Sequence, residues 1–284
     1  MFETSPVLEI RDLVVHYRTT RGEVAAVDGV NLTVNRGEIL GIAGESGCGK
    51  STMAIAILGL IRAPGYIVRG EVIFHPDGGE PVDLLKMPER ELRTIRWGKL
   101  SYLPQASMNS LNPVARIRDQ FVDVMREHGE SDNARMRNRI VELLGEVGLE
   151  PAVAEMYPHE LSGGMKQRTL MAMAVSLNPD LLIADEPTTA LDVTIQRVII
   201  QNLADLSARH GVTLLVITHD MGVHAQLDDR VAVMYAGDVV EIGDVRQVFK
   251  EPAHDYTRSL IGSIPTLEVR RQPTPASPIE VVSQ

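Results

Sequence analysis

EILGIAGESGCGKSTMAIAILGLI, residues 38–61, decides the fold. Ile39 to Ala43 form a short, apolar and β-prone run. The next run, Gly44 to Ser51, completes the pattern G-x-x-x-x-G-K-S, and a helix-forming stretch follows directly. Strand, glycine loop and helix in that order make a phosphate-binding loop, whose backbone N–H groups and helix N-terminus face an anion. Gly44, Gly47 and Gly49 let the chain curl. Lys50 reaches the β- and γ-phosphates, the Ser51 hydroxyl ligates Mg²⁺, and Thr52 adds a hydroxyl near the α-phosphate. Ser46 and Cys48 fill the variable slots. Cys48, the only cysteine of the chain, suits a small filler better than a redox sensor, because one thiol has no resolving partner.

Outward from this loop, short β-rich runs precede it (VLEIRDLVVHY, AAVDGVNLTV). VRGEVIF, a short helix starting near Pro88 and the strand KLSYLPQ follow. From there to about Gly164 the periodicity becomes helical. RIRDQFVDVMREHG and NARMRNRIVELLGEVG carry apolar residues at three-to-four spacing, which reads as an inserted helical subdomain of about residues 106–164. Phe121 and Met125 read as core within it, and so do Met171 and Met173 beyond it. Apolar strands LLIA and TLLVI, separated by helices, then predict a parallel sheet covered on both faces. We expect one main domain over residues 1–245 and a short extension over 246–284, with two short helices and a flexible Pro/Ser-rich tail from about Gln272.

Two carboxylates, Asp185 and Glu186, end the strand LLIA, at the edge where open α/β sheets bind ligands. Asp185 suits the magnesium shell, and Glu186 suits polarisation of an attacking water, since phosphoryl transfer depends chiefly on positioning and charge neutralisation. His219, in TLLVITHD, ends another strand at the same edge and is placed to contact a γ-phosphate; a structural or surface role fits such a lone histidine equally. Gln105 ends KLSYLPQ where the insertion begins, and its neutral amide suits Mg²⁺ or the water; in isolation it too reads as an ordinary surface residue. A second anion cradle, LSGGMKQR at Leu161 to Arg168, opens another helix, with no catalytic residue beside it.

The charge balance of −10 and the lack of a Lys/Arg block exclude a nucleic-acid surface. The N-terminus lacks a basic then apolar leader pattern, and no apolar run reaches the roughly 18 to 20 residues of a membrane-spanning helix.

Taken together, the G-x-x-x-x-G-K-S loop, the strand-end Gln105, LSGGMKQR, LLIADE, Ala190-Leu191-Asp192 and His219 resemble the nucleotide-binding domain of ATP-binding cassette (ABC) proteins, over about residues 7–245. The resemblance implies an α/β fold: a P-loop NTPase core with an antiparallel β subdomain and an inserted α-helical subdomain. It implies that Tyr17 stacks on adenine and that two such domains form a head-to-tail dimer. Ser162, Gly163, Gly164 and Asp192 would then contact ATP held by the facing subunit, which accounts for the second cradle. SMNSLNP, YPHELSGGMKQR, DEPTTALDVTIQ, VMYAGDVVEIG and HDYTRSLIGSIP are similar to the oligopeptide/dipeptide/nickel importer ATPases, to about residue 266. That resemblance implies ATP and Mg²⁺ as ligands and a second ATPase subunit, as a heterodimer. It further implies two membrane permeases docked near SMNSLNPVARIRDQFVDVM, an extracellular or periplasmic solute-binding protein, and a place on the cytoplasmic face of the membrane. The solute is peptide, oligosaccharide or nickel. A non-transport ATPase attached to a soluble enzyme assembly is the alternative of a different class. Members of this branch carry a Cys-rich iron–sulfur motif, for which one cysteine does not suffice, and HDYTR departs from their HPYTR.

Overall fold

The computed structural model describes residues 5–105, 110–189 and 191–263. Strands β1 (Pro6–Thr19) and β2 (Gly22–Asn35) form a long hairpin, and with β4 (Gly65–Phe74) and β5 (Val82–Asp83) they build an antiparallel sheet in the order β2-β1-β4-β5. A second sheet holds β3 (Ile39–Ala43), β6 (Leu100–Leu103), β7 (Leu181–Asp185), β8 (Thr213–Ile217), β9 (Arg230–Tyr235) and β10 (Asp238–Asp244). Its order is β10-β9-β3-β8-β7-β6, parallel except for the β9/β10 pair at one edge.

The period of two along these strands assigns their side chains to two layers. Leu181 and Ile183 of β7 and Leu215 and Ile217 of β8 join a core shared with the antiparallel sheet and with α1 (Lys50–Ile57). Leu182, Ala184, Leu214 and Val216 join the opposite core, built with the inserted helices and those that follow them. Every residue of β7 and β8 is buried, as strands covered on both faces must be. Parity carries one step further and places Asp185 on the layer of α1.

The insertion contains α3 (Ile117–Glu127) and α4 (Asn133–Glu146), after α2 (Glu89–Ile95) upstream. Phe121 and Met125 on α3 and Met136, Ile140, Leu143 and Leu144 on α4 are buried, so the three-to-four spacing corresponds to a real apolar face. Met171 and Met173 are likewise buried, in α5 (Gly163–Ala174). The helix α6 (Val193–His210) starts at an Asp192 cap and stops at Gly211, whose φ of 65° suits a residue without Cβ.

Two short helices, α8 (Val245–Lys250) and α9 (Asp255–Gly262), follow α7 (Met221–Leu227) and β10. They pack as a third apolar cluster: Tyr256, Leu260 and Ile261 lie against Ala43, Met221, Val231, Val233, Val245 and Val248. Beyond β10 the chain therefore remains packed on the main sheet as far as it is described. The tail expected from Gln272, Ser107-Met108-Asn109 of the expected docking groove and Ala190 fall outside the described residues. Among the described residues, no helix is long and apolar enough to cross a membrane.

Candidate nucleotide site

The glycine loop joins β3 to α1, and its glycines have distinct reasons. At Gly49, with φ 111°, a Cβ would sit 2.1 Å from the Ala26 carbonyl oxygen; at Gly44, with φ 149°, it would sit 2.3 Å from that of Met234. The loop is thus clamped between β2 and the end of β9, and a side chain at either position would displace backbone. Gly47, φ 85°, faces open space, so it serves the curl itself.

Lys50 is only 6% exposed, and its ammonium donates to the carbonyls of Gly44 (2.7 Å) and Glu45 (2.8 Å), with the Cys48 sulfur 3.6 Å away. Cys48 is buried in the loop interior, as a filler should be. The Ser51 hydroxyl donates to Asp185 Oδ1 at 3.1 Å, and the Tyr102 hydroxyl donates to Asp185 Oδ2 at 3.1 Å. Asp185 is 1% exposed. Burial raises its pKa above the ordinary carboxylate range, opposed by the Ser51 and Tyr102 hydrogen bonds. The same burial, with Asp185 beside it, raises the Tyr102 phenol.

Glu186 follows at the strand end in a left-handed backbone, φ 50°, with its N–H bonded to the Ile217 carbonyl at 2.7 Å. Its carboxylate accepts from both sides. The backbone N–H of His219 (3.2 Å) and the His219 ring at Nδ1 (2.7 Å) meet Oε1; the hydroxyls of Thr189 (2.9 Å) and Thr218 (3.4 Å) meet Oε2. The strain of a non-glycine residue at positive φ, on the order of 1–3 kcal/mol, is held by this over-determined set of contacts. His219 itself has a side chain 62% exposed, open to a ligand at the sheet edge. Ala26, Ser46, Gly47, Gly49, Lys50, Ser51, Thr52, Gln105 and Glu186 line one cleft of about 150 Å³.

The residues expected for this site within one chain therefore come together with the exception of Tyr17, and those expected to act in trans lie apart from it. Tyr17 lies on β1, where its ring packs against Gly65 and the core beneath the antiparallel sheet. Ser162, Gly163 and Gly164 do not line this cleft; Ser162 caps α5 by accepting from the Met165 N–H at 3.3 Å. Asp192 caps α6 through the N–H groups of Thr194 and Ile195, each at 3.0 Å.

Other residues that touch the site carry weaker sequence signals. Tyr102 has only its place three residues before Gln105. Thr189 and Thr218 are threonines that any strand or turn could hold. Gln167, inside LSGGMKQR, is buried and donates to the Pro187 carbonyl at 2.8 Å, tying α5 to the residue after Glu186. Behind the edge, the fully buried His224 ring meets Asp228 at 2.5 Å and the Thr218 carbonyl at 3.2 Å. This pair explains Gly41 in β3, where a Cβ would lie 1.6 Å from Asp228 Oδ2.

The donor set suits magnesium. Asp185 and Ser51 supply hard oxygen ligands, while the described residues contain no group of three His, Cys, Asp or Glu side chains able to hold a metal unaided. Mg²⁺ is typically bound through one or two carboxylates plus phosphate oxygens and water, which matches this economy of protein ligands.

Comparison with known proteins agrees with the geometry. A family model described as "ABC transporter" matches residues 27–189, and one described as "Oligopeptide/dipeptide transporter, C-terminal region" matches residues 240–283, beyond the point to which the sequence motifs extend. The oligopeptide transport ATP-binding protein OppD of Bacillus subtilis is 45% identical over 272 residues, covering 94% of this chain and 74% of the relative. The glutathione import ATP-binding protein GsiA of Pectobacterium atrosepticum is 41% identical over 280 residues, 97% of this chain and 45% of the relative. Among solved structures, the dimeric ATP-binding cassette MJ0796 in a post-hydrolysis state with ADP and Pi superimposes with a TM-score of 0.73 at 29% identity, over 84% of this chain and 99% of that one.

Proposed function

The chain belongs to the ABC transporter family of ATP-binding, ATP-hydrolysing subunits, and from that premise we propose that it energises uptake of oligopeptides or dipeptides through a membrane permease. The observation that carries the solute class is the joint presence of the two matched regions, 27–189 and 240–283, in one chain. The glutathione-importing relative favours a range that extends to small peptides.

In this reading Lys50 and the loop N–H groups hold the triphosphate. Ser51 and Asp185, with Gln105 nearby, would hold Mg²⁺, which would supply neutralisation of phosphate charge. The Glu186 carboxylate, kept in place by His219, Thr189 and Thr218, accepts the proton of the attacking water. Tyr17 stacks on the adenine ring. Ser162, Gly163, Gly164 and Asp192 meet the ATP of a facing subunit, a companion ATPase rather than an identical chain. The exposed Ser162 end of α5, separate from the Lys50 cleft, and the dimeric relative MJ0796 support this division. ATP then closes the pair, and loss of the γ-phosphate reopens it. Two permeases receive that motion near Gln105 and the inserted helices, on the cytoplasmic face of the membrane, and a solute-binding protein delivers the peptide.

The test is reconstitution of the complete complex in liposomes with its binding protein. Stimulation of ATP hydrolysis by a peptide panel, and not by oligosaccharides or Ni²⁺, is expected. Stimulation by either of the others alone overturns the peptide assignment.

A further inference from the structure

The geometry points to Tyr256 as a positioning residue for the nucleotide loop, through which the C-terminal segment sets the affinity for ATP. The Glu45 N–H, inside the loop, donates to the Tyr256 hydroxyl at 3.0 Å, although 211 positions separate the two residues. Glu45 is thereby held at both ends of its backbone, because its carbonyl also accepts from the Lys50 ammonium at 2.8 Å. The chain of contacts runs from α9 to Tyr256, to Glu45, to Lys50.

Tyr256 is itself firmly placed. The carboxylate of Glu241, on β10, accepts the N–H groups of Ala253 (2.8 Å) and His254 (2.9 Å). His254 Nδ1 in turn accepts the Tyr256 N–H at 3.1 Å. The Tyr256 ring packs against that of Tyr235, centroids 4.3 Å apart, one residue after the Met234 carbonyl that confines Gly44. Further down the helix, Leu260 and Ile261 bury against Ala43, the last residue before the loop, and against Met221, two residues after His219. The segment 253–261 thus braces the loop at Glu45, which is not among the residues that line the cleft of Lys50 and Ser51.

A loop held in its curled form binds a triphosphate without first losing conformational freedom, so removing the brace weakens binding. Loss of one hydrogen bond of this kind corresponds to an affinity change of about two- to tenfold. The role rests on the assignment of residues 44–52 as the ATP site, and the controls separate the two. Full-length wild type, Tyr256→Phe, Glu241→Gln and Lys50→Ala are titrated with the fluorescent nucleotide mant-ATP and Mg²⁺, alongside thermal denaturation without nucleotide. Tyr256→Phe keeps the ring against Tyr235 and loses only the hydroxyl. It is expected to raise Kd two- to tenfold with little change in Tm, a separation that a purely structural role does not produce. Lys50→Ala is expected to abolish binding, and tight binding by that variant removes the ATP-site assignment itself. Where Lys50→Ala loses binding but Tyr256→Phe binds as wild type does, the brace is refuted. Should Tyr256→Phe fold poorly, Glu241→Gln, which loosens the tether at Ala253 and His254, is read by the same criterion, and wild-type affinity there refutes it.

Discussion

Replacing Glu186 with glutamine separates chemistry from architecture at the strand edge. The carboxylate accepts from four donors, two from His219 at Oε1 and the hydroxyls of Thr189 and Thr218 at Oε2. An amide of the same shape can present its oxygen to the two His219 donors, which cannot reverse roles at the backbone N–H. Its NH₂ group then faces two hydroxyls, each free to rotate and accept. All four contacts survive, so the expected stability change is about 1 kcal/mol or less. What disappears is the basic group: an amide takes no proton from water, and loss of a positioned general base costs on the order of 10²- to 10⁴-fold in rate. Glu186→Gln in the reconstituted complex should therefore bind mant-ATP with wild-type affinity and an unchanged Tm. Hydrolysis at its composite site should fall by about that factor, leaving an ATP-bound dimer that persists on size-exclusion chromatography. Turnover close to the wild-type rate, with the companion site silenced, refutes the assignment of Glu186 as the base. A loss of nucleotide binding equal to the loss of turnover refutes the accounting of contacts instead.

Three further perturbations follow from the same geometry. Ser162→Arg should reduce hydrolysis in the composite site shared with the companion subunit on the order of 100-fold, as loss of a positioned donor does, while the isolated mutant chain binds mant-ATP normally; loss of that binding speaks against a role in trans. Gly49→Ala forces a Cβ to within 2.1 Å of the Ala26 carbonyl at φ 111°; nucleotide binding should vanish and stability fall by about 1–3 kcal/mol in urea denaturation, and a variant that binds and melts like wild type shows the clamp to be slack. Burial pushes Asp228 up from 3.8 to about 6, with the His224 contacts opposing it. The unfolded chain thus ionises first as pH rises, and wild-type stability relative to Asp228→Asn should decline by about 2 kcal/mol between pH 4 and 6; a difference flat across that window in denaturant titrations contradicts the raised value.

The sequence made the candidate site edge readable wherever a polar group interrupts an apolar strand pattern. Asp185, Glu186 and His219 each end such a run, and Lys50 and Ser51 stand in a loop of fixed spacing, so local pattern and tertiary position coincide. The parallel sheet was readable for the same reason, because β7 and β8 are apolar on both faces. Residues that hold the site through a single contact left weaker traces. Thr189, three positions from Glu186, and Thr218 contribute hydroxyls that match any turn or strand, and the buried His224–Asp228 pair resembles an ordinary helical i, i+4 couple until Gly41 is found beneath it. Tyr256 is the extreme case: its segment HDYTR resembles a family motif, but its partner is 211 positions away, and no spacing in the sequence links it to the loop.

That asymmetry has a physical basis in how the loop is held. A curled loop has few contacts of its own, and its glycines, chosen for conformational freedom, increase the entropy lost on ordering. The order must come from outside: from the Ala26 carbonyl on β2, the Met234 carbonyl at the end of β9, the Gly237 N–H bonded to the Cys48 carbonyl at 3.0 Å, and Tyr256 on α9. These four supports come from parts of the chain well before and well after the loop. Motif residues determine what the loop does to a phosphate, whereas the supports determine how much of the time it is shaped to do it. Mutations at the supports should therefore alter nucleotide affinity more than the rate of the chemical step, and mutations at Glu186 should do the reverse.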